Sequence, residues 1–268
     1  MKQRRNRFAF RISRFAFREG FTLLELLVVI AIVATLMVLV APAFTKIKTG
    51  NDITRAAYTI TGALEQGRNY AIANNTYVWV GFYEEDMTAT VPTTATPPYS
   101  GKGRVLIATV FSTDGTKIYD DSDPIAPLPP TRIKQFGKLV RIEGVHITDI
   151  GASPSPTPSP APSPETLDGR PDWPYTYAAG IAADHFNRIS SDSADTTRFP
   201  FTAQNYTFSK TVRFNSRGEA NLNSTYSLKS AAELGLKPTH GTAIDSTSRN
   251  LIAIQFGGVG GNFKIYRR

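Results

Sequence analysis

The sequence predicts an α+β protein in which one long N-terminal helix, transmembrane and then amphipathic, carries an antiparallel β-sheet head. Three observations predict this plan: an uncharged apolar run between Leu26 and Thr45, a helical repeat of apolar residues after it, and β-branched and aromatic segments from residue 76 onward. The 268 residues, 41% hydrophobic and 19% charged, can bury a core, which excludes a disordered polyelectrolyte.

The basic charge is concentrated in front of the apolar run. Seven Lys or Arg residues and one Glu lie within residues 1–20, so the rest of the chain is nearly neutral although the net charge is +8. As a helix, residues 21–43 would reach ~34 Å, enough for a hydrocarbon core of ~30 Å. Basic residues favour the cytoplasmic side of a membrane. We therefore expect a single-pass membrane protein with a cytoplasmic N-terminus and an exported head, which agrees with the lack of cysteine.

Glu25 lies inside the apolar segment, and three interpretations compete to explain this segment. A cleaved signal peptide could use Ala41-Pro42-Ala43 as its site, but such peptides have a shorter apolar region of about 7–15 residues. A plain signal anchor fits the length, and Glu25 would then snorkel to the interface from the first turn. A plain signal anchor would thus carry a charged side chain in its membrane helix, and such a charge costs about 2.5–3.5 kcal/mol at the helix centre.

The third interpretation rests on the residues around Gly20. The sequence REGFTLLEL, residues 18–26, resembles the class III signal of type IV prepilins and type II secretion pseudopilins. The resemblance implies that a prepilin peptidase cuts after Gly20 and that the new terminal residue, Phe21, is N-methylated. It also implies that Glu25 faces the N-terminus of a neighbouring subunit and sets axial register, and that the helix kinks at Pro42.

Elementary chemistry agrees with these implied roles. Glycine lets a protease approach the backbone closely because it has no Cβ. Cleavage would create an ammonium group at Phe21, and a buried carboxylate such as that of Glu25 needs a cation. Proline at position 42 removes one helical hydrogen bond and clashes with the preceding turn.

The chain is therefore predicted to have four parts. Residues 1–20 form a cleaved basic leader, 21–44 a transmembrane helix, 45–75 an amphipathic stem helix, and 76–268 a periplasmic β-rich head. Within the stem, apolar residues recur in steps of four and three and form one helical face, and Asn74-Asn75 ends the helix. The members of this face are Ile53, Ala57, Ile60, Leu64, Gly67 and Ala71.

The head is predicted to consist of antiparallel strands. In the first, Val78, Val80 and Phe82 share the face that lies on the stem helix. Capping-box spacing predicts one short helix at residues 230–233, and prolines at every second position predict an extended polyproline II insertion at 153–164. The predicted strands are 76–83, 104–112, 117–119, 139–147, 211–214, 219–222, 250–256 and 262–266, the last two joined by a glycine-rich hairpin turn.

Two further resemblances concern the head. Residues 64–75, which run straight into a strand, and residues 212–218 resemble elements of GspH/FimT-type minor pseudopilins and minor pilins. The ending at 250–255 and 265–268 resembles prepilin-like proteins of the Verru_Chthon cassette protein D type. The sequence departs from the usual minor pseudopilin by extra segments at about 84–103, 120–135 and 148–205, and it lacks the C-terminal cysteine pair of many major pilins.

Signs of catalytic or metal chemistry are weak. His146, His185 and His240 have no metal-ligand spacing, so each is interpreted as structural or solvated, and we expect no enzyme activity, no cofactor and no metal site. The acidic loop at 120–123 is a minor candidate for calcium, without the spacing of an EF-hand. A small basic and aromatic end at 264–268 could touch DNA, but the nearly neutral body argues against strong nucleic-acid binding.

The sequence therefore predicts a structural subunit rather than a catalyst. By resemblance, it is stored in the bacterial inner membrane, processed by a prepilin peptidase, and assembled with other pilin or pseudopilin subunits by an inner-membrane assembly platform. The product would be a periplasmic pseudopilus of type II secretion or an extracellular filament like a type IV pilus. Two alternatives stay open: a surface minor pilin for adhesion or DNA uptake, and a membrane-anchored binding protein or enzyme that never polymerises.

Overall fold

The structure is a computed structural model. It describes residues 22–92, 99, 101–119, 126–150, 188–192, 199–221, 232–257 and 262–267, of which 39–51 and 188 are described by their backbone alone. The chain divides into two units, residues 1–45 and 46–268. The predicted leader and the proline-rich insertion at 153–164 lie outside the described residues.

The helix α1 spans Leu23–Ala73. Its residues from 46 onward belong to the second unit, where Ile53, Ile60 and Leu64 are fully buried, while Arg55 and Gln66 are exposed. This burial confirms the predicted apolar face of the stem. The helix ends where Asn75 adopts a left-handed backbone, with φ of 48°, as the asparagine pair predicts.

The first sheet has five strands in the order β3-β2-β1-β8-β9, with antiparallel pairing throughout. Its central strand β1 pairs with β2 on one side and with β8 on the other. The strand bounds are β1 Val78–Asp86, β2 Gly103–Ser112, β3 Ile133–Glu143, β8 Lys210–Phe214 and β9 Ala220–Asn221.

The second sheet is organised around β10, which is Ala232–His240. One edge of β10 pairs with β12, and β12 pairs in turn with β13. The strands β4 and β11 pair antiparallel with β10, and β5 pairs parallel with it. The bounds are β4 Val145–Thr148, β5 Arg188–Ile189, β11 Ala243–Ile244, β12 Ile252–Phe256 and β13 Phe263–Arg267; a separate hairpin consists of β6 Phe201–Ala203 and β7 Tyr206–Phe208.

The predicted strand at 139–147 is in fact two strands in two sheets. Gly144, at φ of 76°, separates β3 from β4, and its N–H donates to Gly103 O at 2.9 Å. A left-handed backbone at this point turns the chain out of the first sheet and into the second, and glycine adopts it without the steric cost of a Cβ. The single strand predicted here was wrong: the apolar alternation of Val140 and Ile142 breaks at Gly144 and resumes one position out of phase at Val145 and Ile147.

The two faces of the first sheet bury different cores. On one face, Val78, Val80 and Phe82 pack with the stem helix and with apolar residues of the second sheet, which confirms the predicted contact of these three side chains. On the opposite face, Trp79 and Tyr83 belong to a core that is rich in aromatic residues and includes the β6-β7 hairpin. The stem helix is therefore seated on one face of a sheet that is covered on both sides.

Two other predicted elements are wrong. Residues 117–119 form no strand, because the N–H of Thr113 donates to Arg132 O at 3.0 Å and β3 occupies the edge of β2 instead. Of the predicted helix at 230–233, the described residues Ala232 and Glu233 lie in the strand β10. Oε2 of Glu233 accepts a hydrogen bond of 2.8 Å from Gln255 on β12. Pairing with distant strands outweighs the local capping signal there.

The remaining strand predictions are confirmed, with ends that shift by up to three residues. They correspond to β1, β2, β8, β9, β12 and β13. The antiparallel register of β12 and β13, with Ile252 opposite Arg267, confirms the predicted hairpin, and its described ends are joined by a hydrogen bond of 3.2 Å from Gly257 N to Asn262 O.

Candidate functional site

The first turn of α1 carries a capping box that the sequence analysis missed. Thr22 stands at the N-cap, and its Oγ1 accepts a hydrogen bond of 3.2 Å from the N–H of Glu25. In return, Oε2 of Glu25 accepts hydrogen bonds of 3.0 Å each from the N–H and the hydroxyl of Thr22. The Thr-x-x-Glu spacing was the available signal. Gly20 and Phe21 lie outside the described residues.

After this cap, the helix exposes apolar side chains in every direction. Exposure runs from 44% at Val33 to 81% at Leu23, and the apolar residues are nearly consecutive, so they cover the full circumference. Thr35 bonds back to its own helix through hydrogen bonds from Oγ1 to Ala31 O and Ile32 O. Glu25 is therefore the sole carboxylate on the described apolar surface of residues 22–38.

Within the described residues, no helix meets the combined requirement of length and apolarity for crossing a membrane. The backbone is helical through Pro42, whose side chain lies outside the described residues. The kink at Pro42 and the transmembrane role of residues 21–44 both stay predictions.

In the second unit, the stem helix approaches the sheet closely at Gly67. A Cβ at this position would lie 2.8 Å from Cγ2 of Val80 and 3.4 Å from Cγ1 of Val78. Both valines are fully buried in β1. Glycine is therefore the residue that lets the helix axis lie this close to the sheet.

A hydrogen bond joins two of the segments on which the GspH/FimT-type resemblance rests. Nε of Arg68 on the stem donates to Gly218 O at 3.1 Å, across 150 positions of sequence. Gly218 has φ of 78°, and a Cβ there would lie 2.7 Å from Cδ1 of Ile72. The turn between β8 and β9 thus contacts the last turns of the stem helix. The two segments that carry the resemblance therefore lie against each other.

The structure describes two of the three histidines. His146 has no exposed surface and lies between the carboxylates of Glu84 and Asp192. His240 is at the surface, with Nε2 3.4 Å from Oδ2 of Asp245. His185 lies outside the described residues. The network at His146 was not predicted, because its members are 46 and 62 positions away in the sequence.

Among the described residues, no group of three or more His, Asp or Glu side chains could hold a metal ion. The acidic loop at 120–123 lies outside the described part of the chain. Of the basic and aromatic end, Lys264, Tyr266 and Arg267 lie on the edge strand β13, and Arg268 is not described.

Comparison with known proteins gives a match at the N-terminal segment. Residues 17–41 match the family described as the prokaryotic N-terminal methylation motif. This match supports a type IV prepilin-like signal over the same residues that include Gly20, Phe21 and Glu25. No curated protein and no solved structure matches the chain.

Proposed function

We propose that this protein is a structural subunit of a pseudopilus of type II secretion or of a filament like a type IV pilus. Prepilin peptidase cuts after Gly20, Phe21 is N-methylated, and an inner-membrane assembly platform adds the subunit to others of its kind. The match over residues 17–41 supports the processing step. The proposal assigns the chain no catalytic role.

One observation carries the assembly step: the helix that follows the signal is apolar around its whole circumference and exposed. Burial of a Val, Leu or Ile side chain stabilises by about 1.5–3 kcal/mol each. A surface of this kind needs an apolar environment on all sides. In the inner membrane lipid supplies it, and in a filament the neighbouring stems do.

Glu25 can serve this helix in two ways that the structure helps to distinguish. Its carboxylate completes the capping box with Thr22, which is a role within one subunit. In a filament, the same carboxylate would also face the methylated ammonium of Phe21 on a neighbour, and this role needs the negative charge. Glutamine keeps the capping role, since Gln also serves at this position of a capping box, but it loses the charge.

The processing step is tested by intact-mass measurement of the protein purified from membranes. We expect a mature chain that starts at Phe21 and carries one added methyl group. A chain that retains its leader, or one that starts at Phe44 after signal-peptide cleavage, would refute the proposal. A processed chain that is never recovered in filaments would favour the non-polymerising anchor instead.

The assembly step is tested with Glu25→Gln and Glu25→Val at matched expression, by recovery of the subunit in sheared filaments. If charge sets register, both variants are processed but both are lost from filaments. If Glu25 acts only as a cap, Glu25→Gln assembles normally and Glu25→Val does not. Normal assembly of both would leave Glu25 as an interfacial charge.

Thr22→Val and Thr22→Ser provide the matched control. The first removes the hydroxyl of the N-cap, which costs about 0.5–2 kcal/mol of helix stability, and the second retains it. If charge sets register, Thr22→Val assembles far better than Glu25→Gln.

A further inference from the structure

A buried imidazole lies between two carboxylates where the two sheets meet. His146 belongs to β4 of the second sheet, and its Nδ1 lies 2.9 and 3.0 Å from the carboxylate oxygens of Glu84 on β1 of the first sheet. Its Nε2 lies 2.8 Å from Oδ2 of Asp192, which follows β5. His146 and Glu84 are almost fully buried. One ring thus connects the first sheet, the second sheet and the segment after β5.

The other donors around these carboxylates determine the state of the ring. Backbone N–H groups of Gly103 and Ile147 each donate to one oxygen of Glu84 at 3.2 Å. Nζ of Lys102 lies 2.5 Å from Oδ1 of Asp192. A neutral imidazole has one N–H and one lone pair, so it can donate to only one carboxylate. Donation to both at once requires the imidazolium ion.

We propose that His146 is a pH-sensitive clasp, whose imidazolium fastens the segment 190–192 to both sheets and releases it when the ring loses its proton. This segment is held beside the clasp by two backbone hydrogen bonds. The N–H of Ser191 donates to Ile147 O at 2.9 Å, and Ser191 O accepts from the N–H of Tyr99 at 3.0 Å.

The elements next to His146 contribute four charged groups. They are Glu84 on β1, Lys102 before β2, Asp192 after β5, and Lys237, the cross-strand neighbour of His146 on β10. When the ring is charged, it pairs with both carboxylates, and Asp192 also pairs with Lys102. Loss of the proton removes a positive charge from beside the carboxylate of Glu84, which is buried, and this is costly. Asp192 is half exposed, so water compensates its charge in part.

The direction of the pH effect follows from these contacts. Burial lowers the pKa of His146, but the hydrogen bonds to Asp192 and Glu84 raise it by more, so the pKa lies above its ordinary value. The clasp therefore stabilises the head fully below about pH 6.5, and this stabilisation is lost as the pH rises through the folded-state pKa.

The acidic limit is set by Asp192. The hydrogen bond from His146 holds the pKa of Asp192 well below its usual range, with a further contribution from Lys102. The contribution of this carboxylate is thus present above about pH 4 and lost only as the pH falls further. The contacts of the His146 imidazolium with both carboxylates are thus complete in mildly acidic solution and are lost as the solution becomes alkaline.

The first test uses the wild-type chain, full length in detergent, with its histidine rings labelled with ¹⁵N. We expect the ring nitrogens of His146 to be protonated at both positions at about pH 6.5, with a titration midpoint above that of a free histidine. A singly protonated ring at that pH, or a midpoint at or below the free value, overturns the proposal. This measurement needs no variant.

The second test follows Tm against pH for the wild type and Asp192→Asn. We expect the Tm of the wild type to fall as the pH rises from about 6.5 to 9. The Tm of Asp192→Asn should be lower than that of the wild type at pH 6.5 and should fall less over the same pH range. The control is Asp245→Asn, because Asp245 faces His240, which is 58% exposed at the surface. The control follows the wild-type curve. An alkaline fall in Asp192→Asn as steep as that of the wild type overturns the proposal.

Discussion

The close packing of the stem helix on the first sheet predicts that the same substitution has opposite effects on stability at two positions of the helix. Gly62 and Gly67 both lie in the interior of α1, and alanine is favoured over glycine there by about 0.8–1 kcal/mol. A Cβ at Gly62 meets nothing within 4 Å, whereas a Cβ at Gly67 lies 2.8 Å from Cγ2 of Val80. We expect Gly62→Ala to stabilise the head and Gly67→Ala to destabilise it.

The magnitude follows from the stiffness of the neighbour. Val80 is fully buried, and a β-branched side chain has little freedom at χ1, so it cannot swing away from the new methyl group. Overpacking of this kind costs about 1–3 kcal/mol. The two variants should therefore differ by about 1–3 kcal/mol in free energy of unfolding, or roughly 2–12 °C in Tm for a domain of this size.

The assay should report on the head alone. The chain has two tryptophans, at 79 and 173, and Trp79 is buried in the first sheet. In a Trp173→Phe background, thermal unfolding in detergent followed by fluorescence monitors this core. An increase in Tm for Gly67→Ala equal to that for Gly62→Ala would refute the close approach of helix and sheet. Val80→Ala provides a second check, because in combination with Gly67→Ala it should destabilise less than the sum of the single changes.

Three further predictions concern other contacts. Gly20→Val should leave an uncut precursor in membranes, seen by intact mass, and a mature product of normal size would contradict the steric argument. Arg68→Met should lose the hydrogen bond to Gly218 O and lower stability by about 0.5–1.5 kcal/mol in denaturant unfolding. The guanidinium of Arg132 holds the pKa of Asp114 well below its usual range, so Asp114→Asn should flatten the fall in Tm below about pH 4.

Much of the fold could be predicted because its signals are local. The stem face of Ile53, Ile60 and Leu64 follows the helical period, and the alternation in β1 places Val80 on the side of the stem. The strand β10 could not be predicted in this way. It contains Gly235 and Pro238, both unfavourable in strands, and it is held by pairing with β12 on one edge and β4 on the other.

The same capping pattern predicts correctly at one place and fails at another. Thr22 and Glu25 form a capping box, and the apolar residues after them pair with no strand in the described part of the chain. Ser230 and Glu233 have the same spacing, but the residues that follow are drawn into a sheet. The network at His146 carries no local pattern, because only the tertiary fold brings Glu84 and Asp192 to the ring.

The placement of β4 and β5 has a consequence for protein engineering. Thr148 pairs with Gly235 and Arg188 with Glu233, so the chain leaves and rejoins the same strand within two positions of its sequence. At ~3.3 Å per residue along a strand, these two attachment points are close neighbours. Because loop-closure entropy grows only slowly with length, we expect a change of length between Ile150, which is buried, and Arg188 to add little entropic cost to the closure of these ends. A label inserted in this segment is therefore expected to leave the pairing of β4 and β5 with β10 intact.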